Sequence, residues 1–133
     1  MPASLVQVFL IVSDVARSVQ FYRNLLEQSP ASENARHARF DLGPASLAIH
    51  EDLTADEIST WRVDPMPERR GWGVYLTLQL DDLEGAYRRL TSAGGEVVTP
   101  PASTSWGTEM FLAKDPDGYL LEISRRREEP RRT

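Results

Sequence analysis

The feature that most constrains the fold of this chain is an internal repeat of one strand, one helix and several further strands. Gln7, in the first predicted strand, lies seven residues before Asp14, which is placed to cap a helix. Tyr75, in a later predicted strand, stands at the same spacing before Asp82. Supersecondary units that repeat in this way bury their apolar faces by packing together. The repeat therefore predicts one domain built from two similar modules.

The first module begins with residues 5–12, an apolar run rich in β-branched residues that predicts a strand. Asp14 follows and predicts the start of a helix over residues 16–26, where apolar residues recur at helical spacing. Two further strands are expected on either side of a turn at Gly43 and Pro44, after a short strand somewhere in 28–34. Their alternating apolar residues are Ala38, Phe40, Leu42, Leu47 and Ile49.

The second module repeats this order. Residues 73–80 alternate strictly and predict a strand, and Asp82 caps a helix that Gly94 and Gly95 end. Proline and glycine in residues 115–118 indicate a tight turn, because proline presets one turn dihedral and glycine permits a positive one. Pro100 and Pro101 are expected to open a loop. The remaining predicted strands are residues 96–99, 109–113 and 119–124.

These elements predict an α+β fold in which two tandem βαβββ modules form one curved mixed sheet. The helices would cover its outer face, and a concave ligand cavity would lie on the other. We expect a single domain over residues 1–125, with module one at 5–62, a proline-rich linker at 63–71 and module two at 72–125. Residues 126–133 would form a solvated basic tail.

Composition limits the class of function. The chain is 41% hydrophobic and 26% charged, which is typical of a globular protein, and it has no apolar run long enough to span a membrane. A net charge of −5 argues against nucleic acid as a partner. Without cysteine there is no disulfide and no thiolate ligand or nucleophile. We therefore expect a cytoplasmic protein.

Three stretches resemble a known family: residues 12–22 (VSDVARSVQFY), 80–87 (LDDLEGAY) and 115–122 (DPDGYLLE). They are similar to the vicinal oxygen chelate superfamily, which includes glyoxalase I, ring-cleaving dioxygenases, fosfomycin-resistance enzymes and bleomycin-resistance proteins. The resemblance covers roughly residues 6–124. It is specific for the fold and leaves the function open, because this fold carries several chemistries.

The resemblance implies a divalent metal held by one residue from each of four strands. Carried over by position, these residues are Gln7, Ala48, Tyr75 and Glu122. An alanine methyl cannot bind a metal, and neutral tyrosine is a poor ligand for the usual ions. A shifted site of Gln7, His50 and Glu122 is an alternative, since His50 shares the face of Ala48. We prefer the interpretation that Gln7 and Glu122 make hydrogen bonds, and we expect neither a metal nor another cofactor.

Polar groups on an aromatic and aliphatic face are the usual composition of a small-molecule site. Trp61, Trp72 and Trp106 lie outside the regular core positions, and flat side chains of this kind stack on flat ligands. Each tryptophan could equally fill a structural gap, His37 could be a surface histidine, and Phe40 could belong to the core. The predicted ligand-binding residues are Gln7, Phe9, His37, Phe40, His50, Trp61, Trp72, Tyr75, Trp106, Met110 and Glu122.

The first functional hypothesis is non-catalytic binding of a planar aromatic natural product, for self-resistance or as a carrier. It follows the resemblance to the bleomycin-resistance branch, which also implies a homodimer in which modules of two chains could complete each sheet. The second is a metal-dependent enzyme of the glyoxalase or dioxygenase kind. A third is a metal-free enzyme with Glu122 or His50 as general base.

Overall fold

The computed structural model describes residues 2–71 and 73–126. Their elements follow the order βαβββ twice, with one additional helix between the two sets. The chain divides into two compact units, residues 1–68 and 69–133. The elements are β1 (Gln7–Val12), α1 (Val15–Leu26), β2 (Ser32–Glu33), β3 (His37–Leu42), β4 (Ala45–Glu51), α2 (Ala55–Trp61), β5 (Tyr75–Gln79), α3 (Leu83–Ser92), β6 (Glu96–Ser103), β7 (Thr108–Lys114) and β8 (Leu120–Arg126).

In the first unit, four strands form a mixed sheet in the order β1-β4-β3-β2. β1 runs parallel to β4, and the other pairs are antiparallel. The side chain of Asp14 accepts the Arg17 N–H and caps α1, as the sequence predicts. Tyr22 of α1 and Phe40 of β3 are fully buried and contact each other, with ring centroids 6.3 Å apart. The core of this unit therefore lies between α1 and one face of the sheet.

The second unit repeats the arrangement, with strand order β5-β8-β7-β6 and β5 parallel to β8. The side chain of Asp82 accepts the Gly85 N–H and caps α3. Gly94 follows the helix at a φ of +77°, and the Gly95 N–H bonds back to the Leu90 carbonyl. The fully buried side chains of this unit include Leu83, Ala86, Phe111, Ala113, Leu121 and Ile123. The α+β class and the two tandem βαβββ modules are thus confirmed.

The short helix α2 is absent from the sequence prediction. It begins with a capping box, in which the Thr54 hydroxyl accepts the Glu57 N–H and the Glu57 carboxylate accepts the Thr54 N–H. None of its residues is buried, so the helix adds no side chain to the core. Arg36 ties it to the sheet by donating hydrogen bonds to Glu57 and to Glu51 of β4.

The expectation of a loop at Pro100 and Pro101 is wrong, because β6 continues through both prolines to Ser103. β6 is an edge strand, and its register to β7 shifts twice, between Val97 and Thr99 and again between Thr99 and Ala102. Proline lacks an N–H and is tolerated at an edge or a bulge, where no ladder bond is lost.

The predicted turn at residues 115–118 is present and holds the start of the second unit. The buried carboxylate of Asp115 accepts the N–H groups of Asp117 and Tyr119, each at 2.9 Å. Arg70 lies 3.7 Å from the Asp117 carboxylate, and both side chains are more than nine-tenths buried. The Arg70 end of the predicted linker is therefore packed against this turn.

Trp72 and residues 127–133, which include most of the predicted basic tail, lie outside the described residues. Within the described part of the chain, no helix is long and apolar enough to cross a membrane.

Candidate ligand-binding site

In the first unit, one sheet face packs on α1 and the other does not. Every second residue of each strand points toward α1 and fills the core. The residues between them point away from α1 and form what we call the first open face. Its three rows follow from the strand register across β1, β4 and β3. The rows are Gln7, Ser46 and Asp41; Phe9, Ala48 and Arg39; and Ile11, His50 and His37.

Three rings cluster at one end of the first open face. The Phe9 ring centroid lies 5.5 Å from that of His50 and 6.3 Å from that of His37, and both ring pairs are tilted. The two imidazoles meet edge to face at 6.4 Å. Phe9 remains 43% exposed although it packs on both histidines. The cluster thus presents aromatic surface that a flat molecule can cover.

The hydrogen bond of His50 fixes which ring nitrogen is available. Its Nδ1 lies 2.7 Å from the carbonyl oxygen of Glu51. A carbonyl only accepts, so Nδ1 carries the proton and the lone pair of the neutral ring lies on Nε2. His50 can therefore accept a hydrogen bond from a ligand or coordinate a cation through Nε2.

The other end of the first open face is polar. The Asp41 carboxylate accepts hydrogen bonds from Arg39 Nε at 2.9 Å and from the Ser46 hydroxyl at 3.0 Å. These bonds favour the ionised form and hold the pKa of Asp41 below its ordinary value of 3.8. Gln7, the register partner of Ser46, adds an exposed amide. This end can donate and accept hydrogen bonds beside the aromatic cluster.

The second unit has its own open face. Its rows run across β5, β8 and β7, and Glu122 stands between Thr77 and Leu112. Tyr75 is 56% exposed, and Glu122 and Met110 are half-buried. The remaining members of the three rows are Gln79, Leu120, Ser124 and Lys114. Tyr75, Met110 and Glu122 of the predicted site thus share this face.

Trp61 and Trp106 are both largely exposed, at the end of α2 and in the loop between β6 and β7. Two threonines close the Trp106 loop with hydrogen bonds. The Thr104 N–H donates to the Thr108 carbonyl at 2.8 Å, and the Thr108 N–H donates to the Thr104 hydroxyl at 3.1 Å. Neither indole fills a gap in its own unit, so both can contact a ligand or another chain.

The assignment of Phe40 to the ligand site needs correction. Its side chain is fully buried and packs on Tyr22 of α1, on the face opposite Phe9. Strand alternation explains this, because residues 38 and 40 point to the helix while 37, 39 and 41 point away. Phe40 belongs to the core.

The sequence prediction missed Arg39, Asp41 and Ser46, which form the polar end of the first open face. Alternation from His37 could have found the first two, since residues two apart on a strand share a face.

A sequence model described as the glyoxalase/bleomycin resistance protein/dioxygenase superfamily matches residues 4–123. The chain belongs to this superfamily. Similar curated relatives include a probable lactoylglutathione lyase of Vibrio cholerae, 25% identical, with 86% of this chain and 84% of the relative covered. Another is the metallothiol transferase FosB of Shouchella clausii, 27% identical, with coverage of 84% and 73%.

A solved structure of a glyoxalase-related enzyme from Fulvimarina pelagi has the same superfamily fold. It matches with a TM-score of 0.77 at 22% identity, covering 92% of this chain and 87% of that one. At this identity the likeness shows the fold alone.

The metal-binding positions that the superfamily implies do not fit a metal here. Ala48 has no donor atom and is fully buried between its register partners Phe9 and Arg39. Gln7 carries an amide and Tyr75 a phenol, which leaves Glu122 as the one carboxylate of the four. Among the described residues, no group of three or more histidine or acidic side chains could hold an ion.

Proposed function

We propose that this superfamily member binds and sequesters a planar aromatic small molecule without transforming it. Self-resistance to a natural product and delivery of one are the two roles that such binding would serve. The observation that carries the proposal is the cluster of Phe9, His37 and His50 on the first open face. Its partly exposed rings form an aromatic surface of the kind that stacks on a flat ligand.

The polar end of the same face would orient such a ligand. Arg39 lies in the same row as Phe9, Asp41 and Ser46 lie in the next row, and Gln7 adds an amide. Ala48, with its small side chain, separates Phe9 from Arg39 along the middle row. A flat molecule carrying hydroxyl or carbonyl groups at one edge matches this combination.

Titration with planar aromatic compounds, followed by tryptophan fluorescence and calorimetry, tests the proposal. We expect Phe9→Ala to weaken binding about tenfold, since one offset ring pair contributes about 0.5–1.5 kcal/mol beyond the buried area. Phe21→Ala is the matched control, because Phe21 is a half-buried phenylalanine on α1, which packs on the other face of the sheet. Equal loss in both variants, or no binding of any aromatic compound, contradicts the proposal.

A second candidate, favoured by the lyase and transferase names of the relatives, is a metal-dependent enzyme of the same superfamily. Glu122 on the second open face is the side chain best suited to bind an ion or act as a base. Elemental analysis of protein purified without chelator separates the candidates. Stoichiometric metal that Glu122→Gln removes would support the enzyme.

We also propose that the protein acts in the cytoplasm as a homodimer. The exposed apolar residues at the starts of β1 and β5 support self-association, since water-exposed aliphatic side chains favour burial.

A further inference from the structure

His37 and His50 are the only histidines of the chain, and they are direct partners across two antiparallel strands. The next pair along these two chain segments, Arg36 and Glu51, is hydrogen-bonded, because the Glu51 N–H donates to the Arg36 carbonyl at 2.9 Å. Hydrogen-bonded and non-hydrogen-bonded pairs alternate along an antiparallel ladder, so the histidines form a non-hydrogen-bonded pair. Side chains of such pairs lie closest together.

From this juxtaposition we propose that His37 and His50 form a bidentate site for a borderline or soft divalent ion such as Zn²⁺, Ni²⁺ or Cu²⁺. Imidazole is a preferred ligand of these ions. The ring centres lie 6.4 Å apart. An ion bound through imidazole nitrogens at about 2.0–2.1 Å holds two ring centres roughly 5 Å apart. Side-chain rotations that bring the two rings about 1 Å closer would therefore let both imidazoles bind one ion. Water or a ligand would fill the remaining coordination positions.

The contact of His50 with Glu51 supports coordination. Because Nδ1 donates to the Glu51 carbonyl, Nε2 is the nitrogen left with a lone pair. A hydrogen bond of this type on the second ring nitrogen orients metal-binding histidines and raises their basicity. The Phe9 ring packs on both imidazoles and restricts their orientation.

The charges around the pair also favour a cation. Glu51 follows His50 directly, and Glu57 of α2 is bound to the same arginine as Glu51. Arg36 is the positive group at this position, and it binds both carboxylates. One guanidinium against two carboxylates leaves a local net charge of about −1.

The two histidines are not the strand positions at which the superfamily is expected to hold its metal. The proposal of this ion site does not depend on whether the protein binds an aromatic ligand. The test is calorimetric titration of Zn²⁺, Ni²⁺ and Cu²⁺ into full-length protein freed of any histidine tag, near neutral pH. We expect one ion per chain, with affinity at least tenfold weaker in His37→Ala and in His50→Gln. Glu96→Gln is the control, since it removes an exposed carboxylate from the other unit.

Cu²⁺ also gives a direct spectroscopic readout, because nitrogen coupling in its electron paramagnetic resonance spectrum counts the bound imidazoles. Two coupled nitrogens in the wild type and none in the double variant are expected. Circular dichroism of each variant confirms that it is folded. Absence of binding to the wild type, or binding that survives loss of both histidines, overturns the proposal.

Discussion

At the scale of single residues, the clearest constraint is Gly71. Its φ is +85°, and a Cβ placed there would lie 2.9 Å from the Cα of Tyr119. The residue therefore combines a left-handed backbone with a close approach of two chain segments. Arg70 beside it is buried against Asp117, so the segment cannot easily move away.

We expect Gly71→Ala to destabilise the protein more than Gly73→Ala. Gly73 has a similar φ of +79°, and a Cβ added there would have nothing within 4 Å, so this position isolates the backbone contribution. That contribution costs about 1–2 kcal/mol in both variants, and the contact with Tyr119 adds to it only at position 71. Equilibrium unfolding in urea measures the difference. An equal loss of unfolding free energy in the two variants would mean that the Tyr119 backbone moves aside without a cost in stability.

The pairing of the two histidines could have been predicted from residues already recognised. A two-residue turn at Gly43 and Pro44 sets Leu42 opposite Ala45, and counting outward sets His37 opposite His50. Sequence alternation did place His50 on the face of Ala48. The hydrogen bond from His50 to Glu51 could not be predicted, because it depends on a side-chain rotamer.

At the scale of elements, α2 shows what a periodicity argument cannot find. The helix has seven residues and buries no side chain, so it is too short to show an apolar stripe over several turns. The informative signal is local: Thr54 and Glu57 stand at capping-box spacing. Helices α1 and α3, by contrast, were predicted from Asp14 and Asp82 together with apolar faces that pack on the sheets.

We expect acid to release α2 before the rest of the unit. The pKa of Glu57 is held below its ordinary value of 4.5, first by the Thr54 N–H and also by the charge of Arg36. A lowered folded pKa contributes stability that is present above 4.5 and is lost as the pH falls through the folded value. The protection factors of the amides of residues 55–61, taken relative to the intrinsic exchange rate at each pH, should therefore fall in acid while those of β4 stay high.

Glu57→Gln should weaken the protection of α2 already at neutral pH, since the amide cannot form an ion pair with Arg36. Asp56→Asn is the matched control: it removes the neighbouring first-turn carboxylate and leaves the capping box intact. Identical exchange in the two variants would assign the effect to the helix dipole instead.

At the scale of the whole molecule, the alternation of residues predicted the α+β class and both modules. The single curved sheet with a shared concave cavity stays a prediction. So does the single domain over 1–125, because packing between modules depends on many weak contacts that no local pattern encodes.

The proposed homodimer can be tested directly by measuring the mass of the protein in solution. Leu5, Val6 and Val74 are each more than 60% exposed, and β1 and β5 are edge strands of their own sheets. Light scattering after size exclusion should give twice the 15.0 kDa chain mass. We expect Val6→Asp to shift this toward the monomer, because a charge at a buried apolar contact is costly.

Val98→Asp serves as the control, since Val98 is also exposed but lies on β6 at the opposite edge of the second sheet. A mass of one chain at all concentrations would contradict the dimer.

The parallel pairing of the first and last strands of each module has a consequence for synthesis. Among the described strands, β1 pairs with β4 alone and β5 with β8 alone, so each first strand waits unpaired until its module has been translated. The ribosome delivers residue 51 before any strand of the second unit exists, which lets the first sheet close alone. Until then residues 7–12 are an unpaired apolar segment, which exposes the nascent chain to aggregation or to a chaperone.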